Sequence, residues 1–286
     1  MPKQVAVIGA GITGLSAAYY LHRKGQSVVV YEASDRLGGK ICTGEFAGST
    51  FEHGADAFLT RVPWAKDLSE ELGLDLVSPA SSSASVVIDS VLKQMPMGPI
   101  LGLPKSIRAL VASGILQNTS AIRAYLDVLL PRSTHADDLP LADLVEARLG
   151  KAVVDRFTDP LLAGIYAGDT RQLSLVSAAP QLAEFASKHR SWLRGLKAMP
   201  SSVVSGPAFS SVKGGLTRLV EALGRALPAV HLSTTVQSLD QFDSVILTCP
   251  AFESARLLQT VCPQASVELA KISYASVALV CFAFAP

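Results

Sequence analysis

Hydrophobic and polar positions change rhythm twice along this chain. Residues 4–8, Gln-Val-Ala-Val-Ile, are a β-branched run of the kind that fills a parallel strand buried on both faces. Gly9 interrupts the run, and helical spacing follows through Leu15, Ala18, Tyr19 and Leu21 until Gly25 stops it. Val28–Tyr31 forms a second strand-like run that ends at Glu32. Strand, glycine turn, helix and strand make a βαβ unit. A helix is predicted from Pro63 to Leu76 with Gly73 as its cap, then a polar loop over 78–85 and a short strand pair over 86–98.

The pattern then turns helical from residue 99 to 200, with helices predicted over 106–116, 121–130, 141–149 and 152–162 and prolines between them. Beyond Gly206 it returns to alternating elements: a helix over 215–227, a strand over 231–232, a strongly apolar strand over 244–248 and another over 276–285. Nucleotide-type segments therefore flank a helical insertion. The expected fold class is α/β: a discontinuous Rossmann-like domain (1–85 and 206–260) with an inserted, mainly helical domain (86–205).

Composition narrows this little. Hydrophobic residues are 49% and charged residues 17%, a globular balance, and the net charge of +1 gives no electrostatic case for nucleic acid. A mean hydropathy of +0.35 fits a large apolar cavity, a membrane-facing surface or further chain. No segment reaches the length of a spanning helix, so a cytoplasmic protein is expected, with peripheral contact to the inner face of the membrane left open. Cys42, Cys249, Cys262 and Cys281 show no CxxC or metal-ligand spacing, so buried thiols in a reducing compartment and no metal are expected.

The chemistry lies in the first glycines. Gly9-Ala10-Gly11-Ile12-Thr13-Gly14 fits G-x-G-x-x-G: a tight turn, a close backbone approach for a pyrophosphate, and close helix–strand packing. The helix N-terminus offers free N–H groups and a positive dipole end to phosphates. Glu32, with Ala33 beside it, is placed to accept the hydroxyls of an adenosine ribose. NAD and FAD sites share this much. Next comes Glu32-Ala-Ser-Asp-Arg-Leu-Gly-Gly-Lys40, in which Gly38 and Gly39 would bring a second stretch of backbone to the pyrophosphate, with Arg36 and Lys40 adding charge. This pattern resembles the glycine-doublet flavoproteins (amine oxidases, carotenoid desaturases and porphyrinogen oxidases) and implies FAD. In such proteins a segment corresponding to Gly54-Ala55-Asp56-Ala57 passes the flavin ring, and a valine placed like Val236 sets its backbone against the adenine. His53, just before, reads as a loop histidine.

The middle of the chain resembles a narrower family. Asp159-Pro-Leu-Leu-Ala-Gly-Ile-Tyr-Ala-Gly-Asp169, then Leu173-Ser-Leu and Pro180, is similar to the signature of oxygen-dependent protoporphyrinogen/coproporphyrinogen oxidases. Lys188-His-Arg-Ser191, Lys213-Gly-Gly-Leu-Thr-Arg-Leu-Val220 and His53-Gly-Ala-Asp-Ala-Phe-Leu-Thr-Arg61 add to the likeness, which is nearest the soluble bacterial branch. Read without that likeness, Gly164–Gly168 is a glycine-bounded bend. The resemblance implies a porphyrinogen substrate oxidised on FAD with O2 as acceptor, the copro form preferred, and Arg61, Lys188 and Arg190 as cations for its propionates. An amine oxidase, a carotenoid desaturase or an inactive remnant stand as alternatives. The helices after residue 99 (Ile100, Leu101, Leu103, Ile107, Leu110, Val111, Ile115, Leu116) carry a wide apolar face that suits packing better than membrane contact. Relatives in that family continue beyond this point with the rest of a substrate-domain sheet, begun here by 261–286, and a segment closing over the flavin. The expectation is thus a C-terminally shortened chain holding the adenine and pyrophosphate half of an FAD site.

Overall fold

A computed structural model of the chain describes residues 4–60, 62–80, 83–96, 102–132, 138–199, 207 and 209–284. Backbone contacts divide it into two compact units, Met1–Ala80 with Gly206–Pro286, and Ser81–Ser205.

The first unit is built on β1 (Val5–Ile8), α1 (Ile12–Arg23) and β2 (Val28–Tyr31). β1 pairs in parallel with β2 and, on its other side, with the strand Ser244–Leu247; Val230–His231 extends the sheet beyond β2. Period-two alternation sends Val7, Val28 and Val30 to one face, against Leu15 and Ala18 of α1 and Leu219, Val220 and Leu223 of the helix Thr217–Arg225. Ala6 and Ile8 face the other way, against Val236, Leu239 and Leu257. Both faces are covered, which is why these strands read as unbroken apolar runs. Two small antiparallel sheets complete the unit: the hairpin Thr43–Phe46/Ser49–Glu52, and Phe209–Val212 between Phe58–Leu59 and Leu76–Val77. The hairpin is tied to the helix Thr217–Arg225, since Glu52 accepts the Leu216 N–H at 2.7 Å and Thr43 Oγ1 accepts the Thr217 N–H at 3.0 Å.

Among its described residues the second unit forms helices and one hairpin, Ser85–Ile88/Val91–Gln94, whose turn residues Asp89 and Ser90 both take positive φ. Its core gathers Leu103, Ile107, Leu110, Ile115 and Leu116 with Leu144, Phe157, Leu182 and Trp192. The apolar face expected after residue 99 is therefore packed inside the unit where it is described, with Ile100 and Leu101 outside the described residues. Asp127 and Arg148 form a buried ion pair at 2.9 Å. Asp127 also accepts the Ser191 hydroxyl and the Leu193 N–H, while Arg148 donates to the Pro131 carbonyl and lies over the Trp192 ring.

Several expected elements differ. The 106–116 helix is Ile107–Ala112, closed by Gly114 at a φ of +72°, and 121–130 is Asn118–Tyr125 with a 3₁₀ turn after it. The 152–162 helix starts at Lys151, widens into a π turn over Val154–Thr158 and runs on as Asp159–Tyr166. Gly164 and Ile165 are thus helical rather than a bend, and Ala167 ends the helix in the left-handed region. Among the described residues, 261–284 do not open a sheet. Pro263–Ala270 is a helix, as proline at its first position followed by Ala, Glu and Leu favours. The strand expected over 276–285 is not seen in its described part: residues 272–284 pair with no strand among the described residues, and an apolar run without a hydrogen-bonding neighbour does not make one. Nor are the cysteines buried, since Cys42, Cys249 and Cys281 are half-buried and Cys262 is exposed.

Candidate functional site

Three parallel strands end at the same edge of the first unit's sheet. From β1 the chain leaves through α1 to β2 on one side, while the later strand Ser244–Leu247 lies on the other. Ligand crevices in open α/β sheets form where the connections diverge at the carboxyl ends of the strands. A cleft of about 540 Å³ opens there, within the size range of ligand sites.

Its floor is the glycine turn. Gly9 has a φ of +110° and donates its N–H to the Tyr31 carbonyl at 2.8 Å. A Cβ on Gly14 would fall on the Gly9 carbonyl oxygen, so only glycine lets α1 start this close to β1. Gly11 is different: a Cβ there would meet nothing, because the residue faces the open cleft. It caps α1 from an extended conformation and no side chain takes over the capping, which leaves the first N–H groups of the helix for a ligand. A side chain would fill the space that backbone has been cleared to leave open.

The doublet forms the adjoining wall. Gly38 donates its N–H to the Ala10 carbonyl at 2.8 Å, and Gly11 and Gly38 form an isolated parallel bridge. Both doublet glycines have positive φ, and a Cβ on Gly38 would approach the Ile41 carbonyl oxygen to 2.5 Å. Arg36 turns away from the cleft lining and donates to the carbonyls of Leu37, Ile41 and Gly39, fixing this loop rather than presenting charge. Lys40 does line the cleft.

Glu32 stands at the end of β2. One carboxylate oxygen accepts the Ala10 N–H at 2.7 Å, and the other accepts the N–H and hydroxyl of Ser34. Burial tends to raise this carboxyl, but the Ser34 and Ala10 N–H groups, the Ser34 hydroxyl and the Arg36 charge outweigh it and hold it below the usual range.

Of the residues singled out from sequence, Gly9, Gly11, Ile12, Thr13, Glu32, Ala33, Gly38, Gly39, Lys40, Ala55 and Val236 line this cleft. Ala10 and Gly14 sit beneath it, and Gly54 packs against the Lys40 carbonyl. Asp56 and Ala57 are not part of the lining, and His53 is an exposed residue edge-on to Phe51. Lys188 and Arg190 lie in the second unit, both exposed, the first paired with Glu184 and the second donating to the Leu130 carbonyl. Arg61 lies outside the described residues.

Other lining residues were not singled out. Thr248 donates its hydroxyl to the Ile8 carbonyl at 2.9 Å and braces the glycine turn from the neighbouring strand. Arg256 pairs with Glu253 and donates to the Val236 carbonyl at 3.0 Å, which ties together three residues of the lining. Tyr274 reaches in from residues 272–284. The one signal for Thr248 was its place at the end of a strand that resembles β1.

The chain matches the family model of flavin-containing amine oxidoreductases over residues 12–285. It is 34% identical over 289 residues to a coproporphyrinogen III oxidase of Bacillus subtilis, covering 90% of this chain and 62% of that one. Protoporphyrinogen oxidase 2 of Arabidopsis thaliana is 28% identical, with 83% of this chain and 50% of that protein covered. A crystal structure from Exiguobacterium sp. 255-15, named for protoporphyrinogen oxidase, superposes with a TM-score of 0.78 at 29% identity over 91% of this chain and 62% of that one. The chain thus spans about three-fifths of the length of the bacterial relatives it matches. Among the described residues no helix is long and apolar enough to cross a membrane. The chain belongs to the flavin-containing amine oxidoreductase family, and FAD is the cofactor that goes with it.

Proposed function

We propose that the first unit holds the ADP portion of FAD in this cleft, as part of an oxygen-dependent porphyrinogen oxidase acting on coproporphyrinogen III. The observation that carries the reading is the open space at Gly11, set between an uncapped helix N-terminus and the Gly38-Gly39 backbone. Gly9, Gly11, Ile12 and Thr13 would give backbone N–H groups to the pyrophosphate, with Gly38, Gly39 and Lys40 on its other side. Ala10 and Gly14 shape the turn, and Arg36 holds the doublet loop. Glu32, with Ala33, would take the ribose hydroxyls: its carboxylate is already ionised, and oxygens that accept backbone N–H groups still have lone pairs to accept more. Val236 would meet the adenine, and Gly54, Ala55, Asp56 and Ala57 would run along the flavin.

Bound FAD would supply a hydride acceptor for the porphyrinogen, with dioxygen as the final acceptor and hydrogen peroxide as product. The chain's own residues bind and orient; no acid–base pair is required of them. Arg61, Lys188 and Arg190 are proposed for the substrate carboxylates. The names of the bacterial relatives favour the copro substrate, and the absence of a spanning helix among the described residues is compatible with the cytoplasm or the membrane's inner face.

The test is purification followed by flavin spectroscopy and a substrate assay. Protein that carries a flavin band, releases FAD on denaturation and generates porphyrin fluorescence from coproporphyrinogen III is expected. Colourless protein that FAD cannot reconstitute would overturn the cofactor reading. Flavin-loaded protein that makes peroxide from amines but no porphyrin would overturn the substrate.

A further inference from the structure

Tyr274 stands apart from its surroundings. The segment from Ile272 to Phe284 has no regular structure and exposes Val277, Leu279, Val280, Phe282 and Phe284 to solvent; Tyr274 is itself 47% exposed, but it alone of these described residues also lines the cleft. Its hydroxyl oxygen accepts the N–H of Ala251, the first residue of the helix Ala251–Leu258, at 2.8 Å. Phe252 meets its ring edge-on at 5.6 Å, and the Lys40 ammonium sits 5.4 Å from the ring centroid. Lys40 directly follows the glycine doublet and lines the cleft, and Ala251 opens the helix that follows the lining residues Thr248, Cys249 and Pro250. One phenol therefore links Lys40, beside the glycine doublet, to the start of the helix Ala251–Leu258.

We infer that Tyr274 is a cofactor-retaining residue: its ring closes the cleft over the pyrophosphate and slows the release of bound dinucleotide. This rests on the reading of the cleft as an FAD site. The physical basis is threefold. An aromatic ring covers a large area at the cost of few rotatable bonds. The hydrogen bond to the Ala251 N–H fixes where that ring lies, at a helix end whose donors would otherwise face solvent. Lys40, held against the ring face by a cation–π contact, is kept beside the doublet where the negative charge of a pyrophosphate would lie. Ring, helix end and ammonium thus form a clasp, and the cofactor cannot leave past Tyr274 without breaking the hydrogen bond, the cation–π contact or both.

The test is the rate of FAD release from loaded protein, followed by the recovery of flavin fluorescence, with ADP affinity measured alongside. Tyr274→Ala is expected to speed release by about tenfold, the size of one such contact, and to weaken ADP by a similar factor. Tyr274→Phe keeps the ring and loses the hydrogen bond, so its rate should fall between the two. Lys40→Met should speed release less in the Tyr274→Ala background than alone, because the two side chains act together. A ring that merely stabilises the fold would lower the melting temperature of the apoprotein without this non-additivity. Equal release rates for wild type and Tyr274→Phe and Tyr274→Ala would overturn the inference, as would strictly additive effects of Lys40 and Tyr274. If Tyr274→Ala does not fold, an unchanged rate for Tyr274→Phe together with an unchanged rate for Lys40→Met would overturn it. Wild-type protein that takes up neither FAD nor ADP would instead sink the cofactor reading itself, which keeps the two failures distinct.

Discussion

The two units of this chain use buried polarity in opposite ways. In the first, backbone polar groups converge on a cleft: α1 starts without a side-chain cap, Gly11 leaves space, and Glu32 is ionised beside them. In the second, the buried charges pair with one another, Asp127 against Arg148, and the other carboxylate oxygen accepts the Ser191 hydroxyl and the Leu193 N–H. Polar groups left open at a cleft edge are ready for a ligand, and polar groups closed on each other hold a fold. The same residue types therefore predict different consequences when removed.

The largest effect is expected in the second unit. Asp127→Ala would strand Arg148, whose side chain is only 4% exposed, and losing one member of a buried pair costs about 3–5 kcal/mol. Thermal or denaturant unfolding should show that loss while FAD affinity in the first unit stays put. A flavin affinity that fell with it would break the distinction between the two units. Next in size is Gly14→Ala. The added methyl collides with the Gly9 carbonyl and must push α1 from β1, an overpacking cost of about 1–3 kcal/mol. Here stability and flavin binding should fall together, because the turn is both structure and site.

Gly11→Ala should separate what Gly14→Ala couples. Its methyl meets no protein atom, so the apoprotein should melt as the wild type does, whereas FAD affinity should drop by about tenfold, or 1.4 kcal/mol, from loss of close backbone approach. Flavin titration and apoprotein melting, read side by side, decide it. Unchanged affinity would mean that the cleft at Gly11 is not the pyrophosphate site.

These two glycines also show what could be read from sequence. The turn was legible because its constraints are local: a φ only glycine adopts readily, a close strand–helix contact and a carboxylate at the end of the next strand lie within residues 9–32. The doublet was legible for the same reason, although its arginine was not: Arg36 looks like a phosphate ligand and instead spends its donors on the carbonyls of its own loop. Thr248, Arg256 and Tyr274 reach the cleft through the order of strands in the sheet and the path of the chain after it, which no spacing encodes. The second unit's core followed from its apolar periodicity, but the π turn at 154–158 did not, because helical spacing is blind to one wider turn. An apolar run such as 276–284 cannot announce whether a neighbouring strand exists to pair with it.

The smallest effect gives the sharpest contrast, because Glu32 and Glu184 are both held below the usual carboxylate range for different reasons. Glu184, in the second unit, owes its shift to the hydrogen bond and charge of Lys188, an exposed pair. Glu32 is opposed by its own burial, which the Ser34 and Ala10 N–H groups, the Ser34 hydroxyl and Arg36 together overcome. A carboxyl whose folded pKa is depressed adds stability above its unfolded pKa and loses it as pH falls through the folded value. The wild type should therefore exceed Glu32→Gln in melting temperature by most near neutrality, with the gap narrowing on acidification. A gap that widened instead would mean that burial dominates. Salt then distinguishes the two carboxyls in an NMR titration. Screening weakens exposed ion pairs but leaves short backbone hydrogen bonds nearly untouched, so added salt should return Glu184 toward its ordinary pKa and leave Glu32 low. If Glu32 climbed as far as Glu184, its shift would be owed to the Arg36 charge, and the cleft would be held open by surface electrostatics rather than by the backbone of the glycine turn.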